Sequence, residues 1–150
     1  MEFTPYLNFN GNCREAFEFY ARVLGGKIDT MMTHGESPMA NELPPAWHDR
    51  IMHASLRVGD AFLMASDTPP EHYEKPAGLY VSIHVDHAND ADRIFYALAD
   101  NGSVIMPIGK TFWAERFGML VDRFGTPWMI NCDLPADQQA GTEKGLAEAR

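Results

Sequence analysis

The fold is decided by residues 5–24, PYLNFNGNCREAFEFYARVL, and by residues 79–98, LYVSIHVDHANDADRIFYAL, which repeat their pattern. Each stretch first alternates apolar and polar side chains, as a half-buried strand does. Apolar residues then recur at the three- and four-residue spacing of a helix that buries one face. In the first stretch these residues are Ala16, Phe17, Tyr20, Val23 and Leu24. Each stretch therefore predicts one strand followed by one amphipathic helix.

The expected ends of the helices carry the usual capping residues. Asn12 and Glu15 have the spacing of a capping box at the start of the first helix. Asn89 is expected to cap the second helix, with Asp92 near its positive end. Gly25 is expected to end the first helix in a left-handed conformation.

Three further strands are expected after each helix. They are residues 27–33, 50–58 and 61–66 in the first half, and residues 104–110, 116–123 and 128–133 in the second. The order of strand, helix and three strands thus occurs twice, which predicts an α+β fold of two βαβββ modules with curved mixed sheets.

The predicted division of the chain follows this repeat. The first module is residues 1–67, with a proline-bearing loop inserted at 34–49; the linker is residues 68–78; the second module is residues 79–133; and a polar tail, disordered or helical, is residues 134–150.

The sheet face turned away from each helix is expected to be polar. It carries His53, Ser55, Arg57, Tyr80, Ser82 and His84. Two such curved faces brought together would enclose a small-molecule cavity of mixed polarity.

Composition excludes several classes of function. The 150 residues have a formal net charge of −9 and no basic run, which disfavours nucleic acid and anionic membranes as partners. No apolar run approaches the roughly 20 residues of a membrane span. Two cysteines without a CxxC pair, and an N-terminus without a signal-like segment, predict a cytoplasmic protein.

Several stretches together resemble a known superfamily. They are residues 5–11 (PYLNFNG), 15–20 (EAFEFY), 63–67 (LMASD), 112–118 (FWAERFG) and 122–125 (DRFG). They resemble the PhnB-like branch of the vicinal-oxygen-chelate superfamily, which includes glyoxalase I, bleomycin-resistance proteins and extradiol dioxygenases. The resemblance covers about residues 3–133, and it implies paired βαβββ modules and, commonly, a homodimer.

The resemblance also implies where a divalent metal would be held, because classical members supply one ligand from each of four strands. Those positions fall near Pro5, Met64, Tyr80 and Met129, and none of these residues is a hard-metal ligand. The best alternative cluster is the segment 84–87, where His84 and Asp86 would share one face of a strand. Weaker pairs lie in the inserted loop and are His34 with Glu36 and His48 with Asp49.

The candidate site residues are those expected to face the cavity. His84 and His53 are candidates for a general base, since imidazole titrates near neutrality. Trp113 with Arg116 suits an anionic or planar ligand, although a packing pair at a strand edge explains them equally. The predicted ligand-binding set is Tyr80, Ser82, His84, Met64, Trp113, Arg116, Met129 and Asn131.

Three functions are compatible with these features. The favoured one is a metal-free protein that binds a small molecule, with no cofactor. The second is a glyoxalase-type lyase or isomerase, or a dioxygenase-like enzyme, that uses a non-standard metal site or a histidine base. The third is a dimeric scaffold without a ligand. No glycine-rich loop follows a strand, so nothing in the sequence indicates a nucleotide-like cofactor.

Overall fold

Each half of the chain forms a four-stranded mixed sheet whose one face is covered by a helix. The computed structural model describes residues 1–139. The chain divides into an N-terminal unit, Met1–Lys75, and a C-terminal unit that begins at Pro76. The predicted α+β fold of two βαβββ modules is confirmed.

The elements of the N-terminal unit are β1 (Tyr6–Phe9), α1 (Cys13–Leu24), β2 (Lys27–Thr33), β3 (Ile51–Val58) and β4 (Ala61–Asp67). The strand order in the sheet is β1-β4-β3-β2, with β1 parallel to β4 and the other pairs antiparallel. The inserted loop contains three short 3-10 turns, His34–Glu36, Ala40–Glu42 and Pro45–Trp47.

The core of this unit lies between α1 and one face of the sheet. Phe17 and Tyr20 of α1 are fully buried, as are Ala54 and Leu56 of β3. Phe9 of β1 meets Phe17 edge to face, with ring centroids 6.2 Å apart. Burying one such side chain contributes about 1.5–3 kcal/mol, so this face is fixed toward the helix.

The elements of the C-terminal unit are β5 (Val81–Val85), α2 (Ala88–Ala99), β6 (Ser103–Gly109), β7 (Ala114–Val121) and β8 (Pro127–Asp133). The strand order is β5-β8-β7-β6, with β5 parallel to β8. Pro107 lies in β6, an edge strand, where a missing N–H is tolerated.

The core of the C-terminal unit is packed against α2 and anchored by a buried carboxylate. Phe95 of α2 lies where a side chain on Gly118 of β7 would be, since a Cβ there would come within 2.7 Å of its ring. Asp122 accepts hydrogen bonds from the backbone N–H groups of Phe124 and Thr126 and from the indole of Trp128. These bonds fix the β7–β8 turn.

Both predicted helix starts need correction. Asn12 stands at the N-cap of α1, but its side chain makes no capping hydrogen bond. The carboxylate of Asp67 at the end of β4 replaces it, because Oδ1 accepts from the N–H groups of Gly11 and Cys13 at 3.0 Å. The second helix starts one residue before Asn89, with His87 at its N-cap.

In the predicted tail, residues 136–139 are helical, and residues 140–150 lie outside the described part of the chain. Among residues 1–139, no helix has both the length and the apolar character that crossing a bilayer requires.

Candidate functional site

The sheet face opposite each helix, which we call the open face, carries the candidate residues. On the N-terminal open face, strand register aligns Tyr6 with Met64, Met64 with Ser55, and His53 with Met32. Met64 and His53 are half-buried, whereas Tyr6 is 49% exposed. Ser55 is buried, so this face combines polar and thioether side chains and is accessible only in part.

Tyr6 and His53 form a direct pair on that face. The hydroxyl of Tyr6 lies 3.0 Å from Nδ1 of His53. The two rings are stacked with centroids 5.8 Å apart and planes inclined by 27°. The tyrosine therefore fixes the orientation of the imidazole, and both groups remain close to solvent.

The C-terminal open face combines polar and apolar side chains in adjacent strands. Register aligns Ser82 with Met129 and His84 with Asn131, and continues from Asn131 to Phe117. Asn131 is buried, Met129 and Phe117 are half-buried, and Ser82 and His84 are exposed. Three predicted ligand-binding residues of β5 and β8 thus lie next to Met129 on one face.

Four polar side chains of β5 and β8 form a continuous hydrogen-bonded row. Asn131 Nδ2 donates to Asp133 Oδ1 at 2.8 Å and lies 3.3 Å from His84 Nδ1. His84 Nε2 lies 3.3 Å from Ser82 Oγ. The row runs Ser82, His84, Asn131, Asp133 and crosses from β5 to β8.

The carboxylate at one end sets the direction of every bond in the row. If the Asn131 amide were turned over, its oxygen would face the Asp133 oxygen, so the NH2 group points that way. Its second hydrogen then faces His84 Nδ1, which must accept. The neutral imidazole therefore carries its proton on Nε2 and donates to Ser82. The Ser82 hydroxyl hydrogen remains directed outward.

This arrangement positions the His84 ring between Ser82 and Asn131. The Nδ1 lone pair is occupied by Asn131, and Nε2 already carries hydrogen. A general base needs a free lone pair within hydrogen-bond reach of its substrate. The chemistry that the row supports is hydrogen bonding to a ligand.

An aromatic cluster adjoins this row. Trp113 meets Phe117 at a ring-centroid distance of 5.4 Å and an angle of 64°, and it meets Phe112 at 4.8 Å and 80°. Trp113 is 37% exposed and Phe112 is 66% exposed. Because β7 pairs Ala114 with Asp133, this cluster lies at the carboxylate end of the row.

The structure does not bring every predicted residue to this face. Arg116 pairs in register with buried Cys132, and its guanidinium Nε lies 3.2 Å from Oδ1 of Asp92 on α2. It also lies 3.7 Å from the Glu115 carboxylate. Its charge is thus used in ion pairs on the helix side. Tyr80 is half-buried and precedes β5.

The positions at which the family resemblance implies metal ligands carry unsuitable donors. These positions are Pro5 and Met64 in the N-terminal unit and Tyr80 and Met129 in the C-terminal unit, and the backbone N–H of Met64 donates to the Pro5 carbonyl at 3.1 Å. Neutral hydroxyls and thioethers are poor partners for hard divalent ions. Within residues 1–139, no three His, Cys, Asp or Glu side chains converge closely enough to hold an ion. The donor set therefore does not fit the family's metal.

A cleft of about 480 Å³, which shares Asp133 with the hydrogen-bonded row, opens in the C-terminal unit where β5 ends and α2 begins. Asp86, Glu115, Cys132 and Asp133 are among its lining residues. Burial raises the pKa of the Cys132 thiol, and the nearby charges of Glu115, Asp133 and Asp86 raise it further. The cleft is therefore acidic, and its cysteine is held as a thiol.

The sequence interpretation missed three residues that complete these faces. Tyr6 is the partner of His53, Asp133 ends the hydrogen-bonded row, and Phe117 lies beside Asn131. Tyr6 had a signal, since strict alternation puts it opposite the buried Leu7. Asp133 also had a signal, since strand parity puts it on the same face as Met129 and Asn131. Phe117 had none, because a β-bulge between Ala114 and Arg116 shifts the pairing of β7.

The fold defines the class of the protein. Its two open four-stranded sheets have the same fold as a glyoxalase/bleomycin resistance protein/dioxygenase family enzyme from Burkholderia phytofirmans, at 14% identity and a TM-score of 0.59. The predicted PhnB-like branch is confirmed. A family model described as 3-demethylubiquinone-9 3-methyltransferase matches residues 1–131. The chain belongs to this family.

Known proteins with related sequences and structures agree. Protein YjdN of Escherichia coli is 34% identical over 139 residues, covering 87% of this chain and 95% of that protein. Protein PA1353 from Pseudomonas aeruginosa is 51% identical, with a TM-score of 0.82 and coverage of 89% and 98%. A PhnB protein from Bacillus cereus, described as a putative 3-demethylubiquinone-9 3-methyltransferase, shares the fold at 22% identity, TM-score 0.75 and coverage of 88% and 99%.

Proposed function

We propose that this chain is a small-molecule-binding protein whose ligand lies on the C-terminal open face, without a resident metal. The observation that carries the proposal is the row from Ser82 to Asp133. Four polar side chains are ordered there among Met129, Phe117 and Trp113. Few polar groups placed precisely among apolar and aromatic ones are typical of ligand sites.

The burial of these side chains distinguishes the face from an ordinary solvated sheet surface. Asn131 is 8% exposed, and Met129 is half-buried. A solvated face has no need to fix a buried amide between a carboxylate and an imidazole. Satisfied networks of this kind impose one geometry, which is what selective binding uses.

Hydrogen bonding to a ligand is favoured over chemistry by the way His84 is held. Both ring nitrogens are engaged, so the histidine-base alternative has no support from this residue. Methyl transfer, which the family description names, needs a place for a methyl donor, and no glycine-rich loop follows a strand in this sequence.

The proposal is tested by blocking the face. A library of neutral, cationic and anionic compounds is screened by ligand-observed NMR against the wild type and the Met129→Arg variant. Met39→Arg, which adds the same charge to an exposed position of the inserted loop, is the control. Compounds that bind the wild type and the control are expected to lose at least about tenfold in affinity for Met129→Arg, because the arginine occupies the centre of the face.

Two results would overturn this proposal. One is the absence of any compound that binds with a Kd below about 1 mM, the weak end of specific affinity. The other is equal affinity for the two arginine variants. Metal analysis after purification without chelators tests whether the protein binds its ligand without a resident metal. A stoichiometric, saturable ion would contradict that part of the proposal.

We also propose that the protein is a cytoplasmic homodimer. The supporting observations are the family resemblance and two buried cysteines that are free, as expected in a reducing compartment. Sedimentation equilibrium at micromolar concentration is expected to give twice the chain mass, and a monomer mass would contradict the dimer.

A further inference from the structure

We infer that the ligand of the C-terminal open face is an organic cation, with a charged ammonium-type group beside an apolar body. This inference rests on the proposed function and deepens it. The observations that carry it are the aromatic cluster at one end of the face and the carboxylate of Asp133 next to it.

The aromatic rings form a corner that is open to solvent. Phe112 and Phe117 stand at 80° and 64° to Trp113, with both centroids within 5.4 Å of the indole. Phe112 is 66% exposed and Trp113 is 37% exposed, so part of the aromatic surface is accessible to a ligand. The face of an indole attracts a cation that lies within about 6 Å of its centroid. A neutral apolar group gains no such electrostatic term.

The charge beside the corner has the complementary sign. Asp133 is exposed, and Oδ1 of its carboxylate accepts a hydrogen bond from the Asn131 amide. The basic residues nearest in sequence to the corner are already paired. Lys110 lies 3.6 Å from Glu115, and Arg116 is held by Asp92 and Glu115. An anionic ligand would therefore meet an unbalanced carboxylate at this end of the face.

The hydrogen-bonded row adds a requirement at the other end. Because His84 donates to Ser82, the Ser82 hydroxyl has its own hydrogen available for an acceptor. The ligand that fits this face is thus a cation at the aromatic corner with a hydroxyl or carbonyl oxygen farther along. The residues Trp113 and Asp133 recognise the charge, and Ser82 recognises the oxygen.

The test compares two probes that differ only in charge. Choline and its uncharged carbon isostere, 3,3-dimethylbutan-1-ol (dimethylbutanol), are each titrated into the full-length protein. The indole N–H signal of Trp113 is followed by NMR. That signal is identified by its loss in Trp113→Phe. Choline is expected to bind at least about fivefold more tightly than its isostere, which matches a cation–π contact at an accessible site. Benzoate, as the anionic probe, is expected not to shift the signal.

Two variants attribute the preference to the proposed residues. Asp133→Asn removes the charge but keeps an oxygen that accepts the Asn131 amide, and it is expected to weaken choline binding about fivefold. Asp60→Asn, in the β3–β4 turn of the N-terminal unit, makes the same change in net charge and is expected to have no effect. Trp113→Leu lacks the reporter indole, so its affinities are measured by ligand-observed NMR, and it is expected to abolish the preference for choline over its isostere.

The outcomes separate this inference from the proposed function. If dimethylbutanol or benzoate binds at Trp113 as tightly as choline, the ligand is not a cation, and the binding function stands. If choline binds but neither Trp113→Leu nor Asp133→Asn weakens it, the cation binds elsewhere and the inference is wrong. If none of the three probes and no library compound binds, the proposed function fails, and this inference fails with it.

Discussion

The two units share one topology, but they carry different residues at the equivalent position near the end of β4 and of β8. In the parallel strand pairs, Asp67 stands opposite Phe9 in the N-terminal unit, and Cys132 stands opposite Val85 in the C-terminal unit. The Asp67 carboxylate fills this position and accepts hydrogen bonds from three backbone N–H groups, those of Gly11, Cys13 and Ile51. Cys132 lies instead beside an open cleft of about 480 Å³.

The open faces of the two units also differ in how their polar side chains are arranged. The N-terminal face has one exposed tyrosine–histidine pair, Tyr6 with His53. The C-terminal face has the ordered row that ends at Asp133, together with Trp113 and Phe117. Both units use a buried carboxylate, Asp67 or Asp122, to hold backbone N–H groups, but only the C-terminal unit, within residues 1–139, also orders a row of polar side chains on its open face. Such a row is the arrangement expected of a binding surface.

The largest effect is expected from Asp67→Ala. This substitution leaves three backbone N–H groups without their charged acceptor, so it is expected to lower the free energy of unfolding by about 3 kcal/mol or more. Urea denaturation measures the change. Cys132→Ala, at the equivalent position, is expected to cost about 1 kcal/mol. Equal losses for the two variants would break the comparison.

A smaller effect is expected where α2 approaches its sheet. Gly118→Ala places a Cβ 2.7 Å from the Phe95 ring and 3.0 Å from the Ile108 backbone, so overpacking is expected to cost about 1–3 kcal/mol. The equivalent position in the other unit, Ala54, already carries a Cβ. Gly109→Ala is the control, since nothing lies within 4 Å of its Cβ position, and a melting temperature as low as that of Gly118→Ala would contradict the packing argument.

The two cysteines are expected to respond differently to pH and to thiol reagents, because Cys13 lies beside the Asp67 carboxylate and Cys132 lines the cleft. Burial raises the pKa of Cys13, and the charge of Asp67 raises it further. A thiol with a raised folded-state pKa stabilises fully below its unfolded pKa of about 8.5, and the contribution is lost as pH rises, because only the unfolded thiol ionises.

We therefore expect the free energy of unfolding to fall between pH 8 and pH 10 by roughly 2 kcal/mol more in the wild type than in Cys13→Ala. In native protein, Ellman's reagent is expected to react more slowly with Cys13 than with Cys132, which lines the cleft. Rapid modification of Cys13 in native protein would show that its position is not closed.

The smallest effect is expected on the N-terminal open face. Tyr6→Phe removes only the exposed hydrogen bond to His53, so the free energy of unfolding is expected to change by about 0.5 kcal/mol or less. Affinity for ligands of the C-terminal face should not change, as measured by the same NMR titrations. A tenfold loss of ligand affinity would show that the functional site includes this face.

The sequence was sufficient for the fold because its periodic patterns have a direct physical cause. Alternation in residues 5–10 and the helical stripe after Gly11 follow from burial of one face, and the second half repeats them. Helix starts were less predictable, because the acceptor for the N–H groups of α1 is Asp67, far away in sequence. Local capping patterns cannot reveal such a partner.

The candidate site was predictable only in part. His84, Ser82 and Asn131 were found because strand parity puts them on one face. Arg116 was assigned to the ligand because a sequence shows proximity to Trp113 but not which side of a bulged strand the guanidinium takes. The direction of the hydrogen bonds was also beyond the sequence, since it depends on the contact between Asn131 and Asp133.

The most direct test of the account is a structure of the protein with a bound ligand from the screen, supported by intermolecular NOEs in solution. We expect the ligand to contact the Met129 methyl group and the Trp113 ring, with an acceptor atom within hydrogen-bond distance of Ser82 Oγ. A ligand found in the acidic cleft beside Cys132, or on the Tyr6–His53 face alone, would contradict it.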